Sequence, residues 1–587
     1  MSKGKPKKKS KGSPSKSASS STLFTKSNLI FLVVIAIAGI IAFLPVIHGE
    51  FLNYDDELYI TQNQALTGFD LPALFSGYIG NQYSPVAMSI MAFEIKLLGL
   101  QPGGLKLISI MLHLLNGLLA FVFVKKLIRR DAIALLVSAL FTVHTLQVES
   151  VAWLTASMKI GTYSLFSLAS LISYLNFRQG NQRVQYILSL MYFLLAGLCK
   201  EQAVVLPLLL MLIDYFQGRK WFSRPALLEK VPFFIIALGI GLATMRVAGD
   251  MRGTGTALPY SMLERLLFAC MAFANYAWKE LLPVHLSTYY IYPPQGEIPG
   301  YYYATPFFVL AVLWLLYYTW RKGWKLYFFG IAFFVVNIVL TLFSQIFSVR
   351  DVIMADRYVY LSSIGFFLCL VQLISNIADT KNWNKKSVYL AMGVYALLLT
   401  GLTWQRSRVW HDTITMFSDA IDYRNAKGYK GATPTIALPY SNRGLAKKRA
   451  GDLEGAMADY NAAIQANPGY PTGFLNRGNL YFLQKKPDLA IKDQNRAIEL
   501  DPNNYLAYAN RGAALASAGQ YEQALTDFNK SLSLQPNFQD GLSNRALTYY
   551  TMGNNQAALN DVEQYLRINP GDANMQAFRQ EIMAKMQ

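Results

Sequence analysis

Long apolar runs recur from residue 29 to about residue 405, and they restrict the fold more than any other feature of the chain. The hydrocarbon core of a bilayer needs about 20 predominantly apolar residues per helix, and several runs meet or approach that length. We therefore predict an all-α, polytopic membrane domain of 11 spans. The predicted spans are residues 29–47, 104–124, 132–149, 160–177, 185–199, 202–216, 231–247, 304–320, 326–346, 360–377 and 387–404.

Basic loops give the expected orientation, because Lys and Arg accumulate on the cytosolic side of membrane proteins. The chain has five basic loops, and all five fall on the same side of the membrane only if the ambiguous apolar stretch 262–282 does not cross the bilayer. The amino terminus is then cytosolic and the carboxyl terminus lies outside. The loops are 125–130, the loop around Arg178 and Arg183, 219–224, 321–325 and 381–386.

The first 28 residues contain eight lysines and no acid, within a chain of net charge +19. A tract of Lys, Ser, Gly and Pro has nothing to bury, so we predict a disordered cytosolic tail that touches anionic lipids and no nucleic acid. The apolar run behind it is long and has no small-x-small cleavage site, which favours a retained first span over a signal peptide.

Several enzyme classes lack their motifs in this chain. No HExxH, CxxC, P-loop or GxSxG sequence is present, which argues against metalloprotease, NTPase and serine-hydrolase chemistry. The three cysteines have no spacing that suits a zinc site or a disulfide framework.

The polar part of the chain repeats itself every 34 residues. An early Gly or Ala, a central Ala and Asp, and a closing Pro recur in register, a pattern typical of tetratricopeptide repeats. We predict a membrane domain over 29–405, a connector with a degenerate repeat helix over 406–436, four repeats over 437–570 and a capping helix over 571–587. The register is marked by Asn442-Arg443-Gly444, Asn476-Arg477-Gly478, Asn510-Arg511-Gly512 and Asn544-Arg545-Ala546.

The four asparagines of this register are expected to form a row along the solenoid. Their arrangement resembles the asparagine ladder of the cytosolic O-GlcNAc transferase, which implies a grip on the backbone of an extended polypeptide. A primary amide both donates and accepts hydrogen bonds, which suits that contact. In the alternative interpretation each amide bonds to the neighbouring repeat. The residues are Asn442, Asn476, Asn510 and Asn544.

Three consecutive acids, Asp55, Asp56 and Glu57, follow the first predicted span. Charges at the hydrocarbon boundary are costly to desolvate and are often kept for functional sites. The alternative is a solvated loop whose acids cap a short interfacial helix.

Five ordered segments and the repeats together resemble one group of enzymes. The group is the C-fold (GT-C) glycosyltransferases with attached repeats, including the transmembrane and tetratricopeptide-repeat O-mannosyltransferases and their bacterial relatives. The resemblance covers about residues 29 to 570. Relatives often carry a basic-acidic cluster after VESVAW, whereas this chain has Ser157-Met158-Lys159 there. The segments are FLNYDDELYITQN (51–63), LISIMLHLLNGLLAF (107–121), LFTVHTLQVESVAW (140–153), LCKEQAVVLPLLLMLIDYF (198–216) and MADRYVYLSSIGF (354–366).

The resemblance implies transfer of a sugar from a polyprenyl-phosphate carrier to a hydroxyl, with inversion. Asp55 is then the expected general base, and Asp56 orients the acceptor or assists a divalent metal, the one cofactor left open. A developing phosphate charge calls for cations, and the candidates are Lys159, Lys200 and Arg357. Supporting roles, with plain ion pairs as the alternative, are expected for Glu149, Glu201, Asp356 and Tyr358.

A repeat groove outside the membrane favours a protein acceptor, so we expect O-glycosylation of Ser or Thr at a bacterial inner membrane. The expected partners are the bilayer, the lipid-linked donor and an extended polypeptide or partner protein. Two alternatives are a glycolipid or polysaccharide acceptor, and a membrane scaffold without activity. The sequence does not select the donor sugar.

Overall fold

The computed structural model of the chain describes residues 24–78, 82–180, 182–250, 260–347, 351–429 and 431–587. The predicted all-α class is confirmed, because these residues form 28 α-helices joined by short 3₁₀ and π turns and by loops. Of the basic tail predicted over residues 1–28, residues 1–23 lie outside the described residues.

Eighteen helices precede the repeats. Their order places the acidic segment 55–57 between α1 and α2. They are α1 (Lys26–Phe43), α2 (Gln64–Thr67), α3 (Leu71–Ser76), α4 (Pro85–Leu98), α5 (Pro102–Ile128), α6 (Asp131–Val143), α7 (Val148–Ala152), α8 (Leu154–Ala156), α9 (Thr162–Gly180), α10 (Arg183–Cys199), α11 (Leu206–Phe216), α12 (Arg224–Leu228), α13 (Val231–Asp250), α14 (Met262–Leu281), α15 (Thr305–Arg321), α16 (Lys325–Phe347), α17 (Ser363–Thr380) and α18 (Lys385–Ser407).

The prediction of 11 membrane spans is wrong. Among the described residues six helices are long and apolar enough to cross a bilayer, or seven if α6 and Thr145–Ala152, bent by 52°, count as one span. Apolar composition does not fix helix length: α10 has 17 residues and α11 has 11, while α9 is a continuous helix of 19 residues whose serines lower its apolar character. The ambiguous helix α14 is not among the six. The six are Lys26–His48, Pro102–Ile128, Gly300–Arg321, Lys325–Phe347, Ser363–Thr380 and Lys385–Trp410.

The bundle has two chemically different ends. At one end, which we call the basic end, Asn28 at the start of α1 donates to Asp131 (2.7 Å), which also pairs with Lys125 at the end of α5. At the opposite end, Lys106 near the start of α5 donates to the backbone carbonyl of Glu50, which follows α1 in the chain (2.8 Å). The acidic segment 55–57 therefore lies at the end away from the basic loops.

The carboxyl-terminal part consists of antiparallel helix pairs, as the 34-residue period predicts. Each pair contributes a small residue to a close helix contact, such as Gly444 against Tyr460. The helices are α19 (Thr413–Ala426), α20 (Ala437–Arg449), α21 (Leu453–Ala466), α22 (Pro471–Leu483), α23 (Pro487–Leu500), α24 (Tyr505–Ser517), α25 (Tyr521–Leu534), α26 (Gln539–Thr551), α27 (Asn555–Ile568) and α28 (Ala573–Met586).

An arginine clasp recurs in each repeat. Arg511 on α24 makes two bonds of 2.7 Å to the Asp527 carboxylate on α25 and a third to Asn495 of the preceding repeat. Because the carboxylate is buried, the ion pair fixes the angle between the two helices of one repeat. The contact with Asn495 fixes the orientation of that repeat relative to the preceding one. The other clasps are Arg443–Asp459, Arg477–Asp493 and Arg545–Asp561.

The first repeat helices dock against the membrane domain. Thr413 at the start of α19 accepts from the Asn53 amide (3.0 Å) and donates its own amide to the Glu50 side chain (3.1 Å). Arg406 pairs with Asp419 (2.6 Å), and Arg449 at the end of α20 pairs with Glu57. The repeats are thus anchored beside the acidic segment.

Arg511→Ala is expected to destabilise the repeats by about 2 kcal/mol, because it leaves the Asp527 carboxylate buried without its charged partner. Arg496→Ala is the matched control, since its pair with Glu499 is exposed and contributes little. The stability of both variants is measured by thermal unfolding of the detergent-solubilised chain, with limited proteolysis to report on unfolding. Equal losses in the two variants would contradict the clasp.

Candidate active site

The carboxylate of Asp56 is fully buried and points into the protein. One oxygen accepts from the Leu52 amide (3.0 Å), and the other accepts from the amide (3.0 Å) and hydroxyl (2.6 Å) of Thr155. Burial raises the pKa of Asp56, and these hydrogen bonds oppose that shift. Asp56 therefore holds the loop after α1 against α8 and has no oxygen free for a substrate.

Tyr54 fixes the other side of the same loop. Its ring stacks on Trp153 with centroids 4.7 Å apart and meets the edges of Tyr289 and Phe417 at 6.2 and 5.9 Å. Both neighbours of Asp55 are therefore anchored, one by aromatic packing and one by hydrogen bonds.

Asp55 itself is half-buried, and its carboxylate makes no hydrogen bond or ion pair within the described chain, although its backbone carbonyl accepts from the Tyr59 amide (2.9 Å). Burial raises the pKa of its carboxyl group, while the positive charges of Lys159 and Arg357 lower it. A carboxylate that faces two cations without bonding to either is positioned to take part in chemistry between them.

Lys159 is buried on a five-residue π-helical turn, Ser157–Gly161. Its amino group donates to the Gln82 side chain (2.7 Å) and lies 3.4 Å from the centroid of the Tyr59 ring. Burial, reinforced by the nearby charge of Lys200, lowers the pKa of Lys159 to about 7. Its charge is therefore sensitive to any anion that enters the site.

Arg357 is already paired. Its amide donates to Glu149 (2.9 Å), its guanidinium donates to the same carboxylate, and its guanidinium carbon lies 5.1 Å from the Trp153 ring centroid. Burial lowers the pKa of Arg357, but the charges of Tyr358 and Glu149 raise it more, so it stays protonated. The Tyr358 hydroxyl accepts from the guanidinium at 3.4 Å.

Lys200 completes the cation group and lies 4.0 Å from Glu201. Asp356, although it precedes Arg357 in sequence, faces the other way: it accepts from the Tyr290 hydroxyl (2.8 Å) near Lys279. Burial, opposed by the charge of Lys279, raises the pKa of Asp356 to about 7. Lys159 and Arg357 are thus the two predicted cations whose charges act on Asp55. The charges of Lys200 and Glu201 act on Lys159, and Glu149 and Tyr358 contact Arg357, whereas Asp56 and Asp356 face elsewhere.

Three further residues at this site were not expected from the sequence. Gln82 bonds Lys159, Trp153 packs between Tyr54 and Arg357, and the carboxyl group of Asp351 lies close enough to Asp55 for its pKa to rise, after the larger effect of desolvation. Trp153 closes the matched segment 140–153 but has no titratable side chain to single it out, and Gln82 and Asp351 lie outside the matched segments. The described residues include no group of three or more His, Cys, Asp or Glu side chains that could hold a metal.

A cavity of about 190 Å³ adjoins Lys159 and is lined by Tyr59, Asn63 and Gln82. A larger apolar cavity of about 980 Å³ lies elsewhere, between α15, α16 and α17, with Arg130 at its rim. The small cavity is the one in contact with the charged cluster.

The asparagine row is half-buried along the repeats. Asn476 donates to Ser441 of the preceding repeat (3.0 Å). The other three, Asn442, Asn510 and Asn544, make no side-chain hydrogen bond within the described part of the chain. Bonding to a neighbouring repeat therefore accounts for one member of the row.

Comparison with known proteins identifies the repeats. The family described as "Tetratricopeptide repeat" matches residues 471–504 and 505–538, and "TPR repeat" matches 444–485. The chain is 30% identical over 196 residues to "Protein O-mannosyl-transferase Tmtc1" of Drosophila melanogaster, a match that covers 30% of this chain and 22% of that protein.

Solved structures match the repeat part. "First TPR of Spaghetti (RPAP3) bound to HSP90 peptide SRMEEVD" is 28% identical, with 20% of this chain and 93% of that chain covered and a TM-score of 0.20. "Crystal structure of MamA protein" is 22% identical, with 26% and 87% covered and a TM-score of 0.22. By its family matches the chain has tetratricopeptide repeats, it has apolar helices long enough to span a bilayer, and over 30% of its length it is similar to an O-mannosyltransferase.

Proposed function

We propose that the chain is a membrane glycosyltransferase that moves a sugar from a polyprenyl-phosphate-linked donor to Ser or Thr hydroxyls of extracytoplasmic proteins, with inversion. The partial similarity to an O-mannosyltransferase supports the reaction class. The observation that carries the proposal is the Asp55 carboxylate, which is held between two anchored neighbours and faces Lys159 and Arg357 without bonding to either.

The proposed reaction uses Asp55 as general base. Its carboxylate takes the proton of the acceptor hydroxyl while that oxygen bonds to the anomeric carbon, and the bond from that carbon to the phosphate oxygen breaks on the opposite face. Burial raises the pKa of Asp55, which makes its carboxylate a stronger base than an exposed aspartate. The polyprenyl phosphate leaves with the electron pair.

Lys159 is the proposed main contact of the leaving phosphate. Its ammonium group is held by the neutral Gln82 and has no carboxylate within ion-pair distance in the described chain, whereas Arg357 is paired with Glu149 and Lys200 lies near Glu201. A phosphate gains most from a cation that is not yet neutralised, and a buried setting strengthens the interaction. Arg357 then contributes a second, fixed positive charge.

The proposed orientation follows from the two ends of the bundle. If the basic end faces the cytosol, as the positive-inside rule favours, Asp55 and the repeats lie outside, at the level where a lipid phosphate meets water. We propose a bacterial inner membrane with a cytosolic amino terminus.

The repeats are proposed to bind the acceptor polypeptide. Arg449 of the first repeat pairs with Glu57, two residues beyond Asp55, so the asparagine row begins beside the proposed active site. Asn442, Asn510 and Asn544 keep amide groups available for a peptide backbone, and tetratricopeptide solenoids commonly present such a surface.

Asp55→Asn is expected to lower transfer by about 100-fold or more, because it removes the general base. Mass-spectrometric glycan profiling of extracytoplasmic proteins, in cells that lack the gene and carry either wild type or the variant, measures the effect at equal membrane abundance. Asp379→Asn is the control, since it removes an exposed acid at the end of α17 that pairs with Lys385, away from Asp55 and from the repeats. Full restoration by Asp55→Asn would refute the base, and wild-type-dependent glycans on lipid alone would refute the protein acceptor.

The value of kcat/KM is expected to fall as the pH rises above about 7, because Lys159 loses its proton there. It is also expected to fall on the acid side, where Asp55 becomes protonated and can no longer act as a base. Lys159→Arg keeps the charge at every accessible pH, so it should move the alkaline fall upward. A profile whose alkaline limb is the same in both proteins would remove Lys159 from the mechanism.

Replacing Asn442, Asn510 and Asn544 together by Ala is expected to raise KM for a polypeptide acceptor about tenfold, because each lost amide contact contributes about 1 kcal/mol or less. Asn476→Ala, whose amide already bonds Ser441, is the control and should change KM little. Steady-state kinetics with a long acceptor and a short peptide measure the effect. An unchanged KM in the triple variant would exclude the row as the acceptor surface.

A further inference from the structure

A basic pocket of about 560 Å³ lies where the carboxyl-terminal ends of α5, α9 and α11 meet. Four cationic residues line it, and no acidic residue does: Lys126, Arg129, Arg178 and Arg219. We call this cavity the basic pocket.

The basic pocket is separate from the proposed active site. Lys106, near the start of α5, contacts Glu50 behind α1, whereas Lys126 lies 20 residues further along the same helix. At 1.5 Å per residue the two lysines are about 30 Å apart, the thickness of a hydrocarbon core.

Two of its arginines are held rigidly from behind. Arg219 bonds Asp214 (3.2 Å) and both oxygens of Glu229 (2.5 and 2.8 Å), and the Arg178 Nε lies 3.6 Å from Asp214. Asp214 also pairs with Lys230, which is buried. With Lys126 and Arg129 included, five cations face two carboxylates in this network, so an excess of positive charge remains at the pocket.

The other two cations are not neutralised. Lys126 and Arg129 have no ion pair within the described residues, and the Lys126 carbonyl accepts from Gln179 (3.2 Å), which ties α5 to α9. Arg129 ends α5 in a left-handed conformation (φ 56°), where glycine is the usual residue. An arginine at this position is strained where glycine would not be, and it lines the pocket.

We propose that the basic pocket binds a phosphate-bearing anion, either the headgroup of an anionic membrane lipid or a free phosphate. Arginine forks match phosphate oxygens, and a rigid pair of arginines loses little entropy on binding. Leu127 and Phe216 give the pocket an apolar wall beside the bilayer-spanning helix α5. This inference is independent of the proposed glycosyl transfer.

The test uses the full chain in lipid nanodiscs. Lipids retained by the wild type are counted by native mass spectrometry, in discs of zwitterionic phospholipid with or without phosphatidylglycerol. The same is done with Lys126→Gln/Arg129→Gln, which leaves the Asp214 network intact. The control is Lys381→Gln/Lys386→Gln, which removes two exposed charges outside the pocket, one directly after α17 and one in the first turn of α18.

The pocket variant is expected to lose affinity for phosphatidylglycerol by about tenfold or more, through loss of two charge-assisted contacts, and the control by much less. Equal losses would reduce the pocket to general surface charge and overturn the proposal. Inorganic phosphate, added to zwitterionic discs and followed by isothermal titration, separates the sources. Phosphate binding that the pocket variant abolishes supports a soluble ligand, binding of the lipid alone supports a headgroup, and binding of neither refutes the site.

The variant Arg129→Gly distinguishes a loss of anion binding from a loss of folding. Glycine relieves the left-handed strain while it removes the guanidinium, so thermal stability should hold or rise as anion affinity falls. If Arg129 served only to complement the carboxyl-terminal ends of the helices, the variant would leave the affinity unchanged, and the proposal would fail.

Discussion

The geometry of the proposed active site depends on one buried carboxylate. Asp56 accepts hydrogen bonds from Leu52 and from both the amide and the hydroxyl of Thr155, which lies 99 residues further along the chain. A buried charge with fewer donors would be costly, so the loop after α1 has one arrangement that satisfies it. With Asp56 turned inward and Tyr54 packed on Trp153, Asp55 has to face the opposite side.

The partners of this loop come from one irregular stretch, residues 149–159. Glu149 pairs with Arg357, Trp153 stacks on Tyr54, Thr155 holds Asp56, and Lys159 faces Asp55. A continuous helix would present these residues in a fixed rotation of about 100° each. The extended backbone of Trp153 between α7 and α8, followed by a π turn, lets them surround a single loop instead. Such irregular turns recur at functional sites because they redirect side chains.

The sequence predicted the all-α class and the repeats, and it drew attention to Lys159 and Arg357, the two cations whose charges act on Asp55. It did not separate neighbours: Asp55 and Asp56 have the same side chain, and only tertiary packing decides which one is buried. Tertiary packing likewise turns the neighbours Asp356 and Arg357 in opposite directions, Asp356 toward Tyr290 and Arg357 toward Glu149. In the repeats the 34-residue period marked Arg511 and Asp527 as clearly as Asn510, yet their pairing requires the distance between helices, which periodicity does not provide. Span number failed because apolar composition does not specify where a helix breaks.

Cryo-electron microscopy of the chain in nanodiscs with a polyprenyl phosphate would show whether a lipid phosphate binds between Lys159 and Arg357 beside Asp55. We expect phosphate density in contact with the Lys159 amino group and the Arg357 guanidinium, with the polyprenyl tail leading away along the membrane helices. Density for the phosphate at the opposite, basic end of the bundle, with none near Lys159, would contradict it.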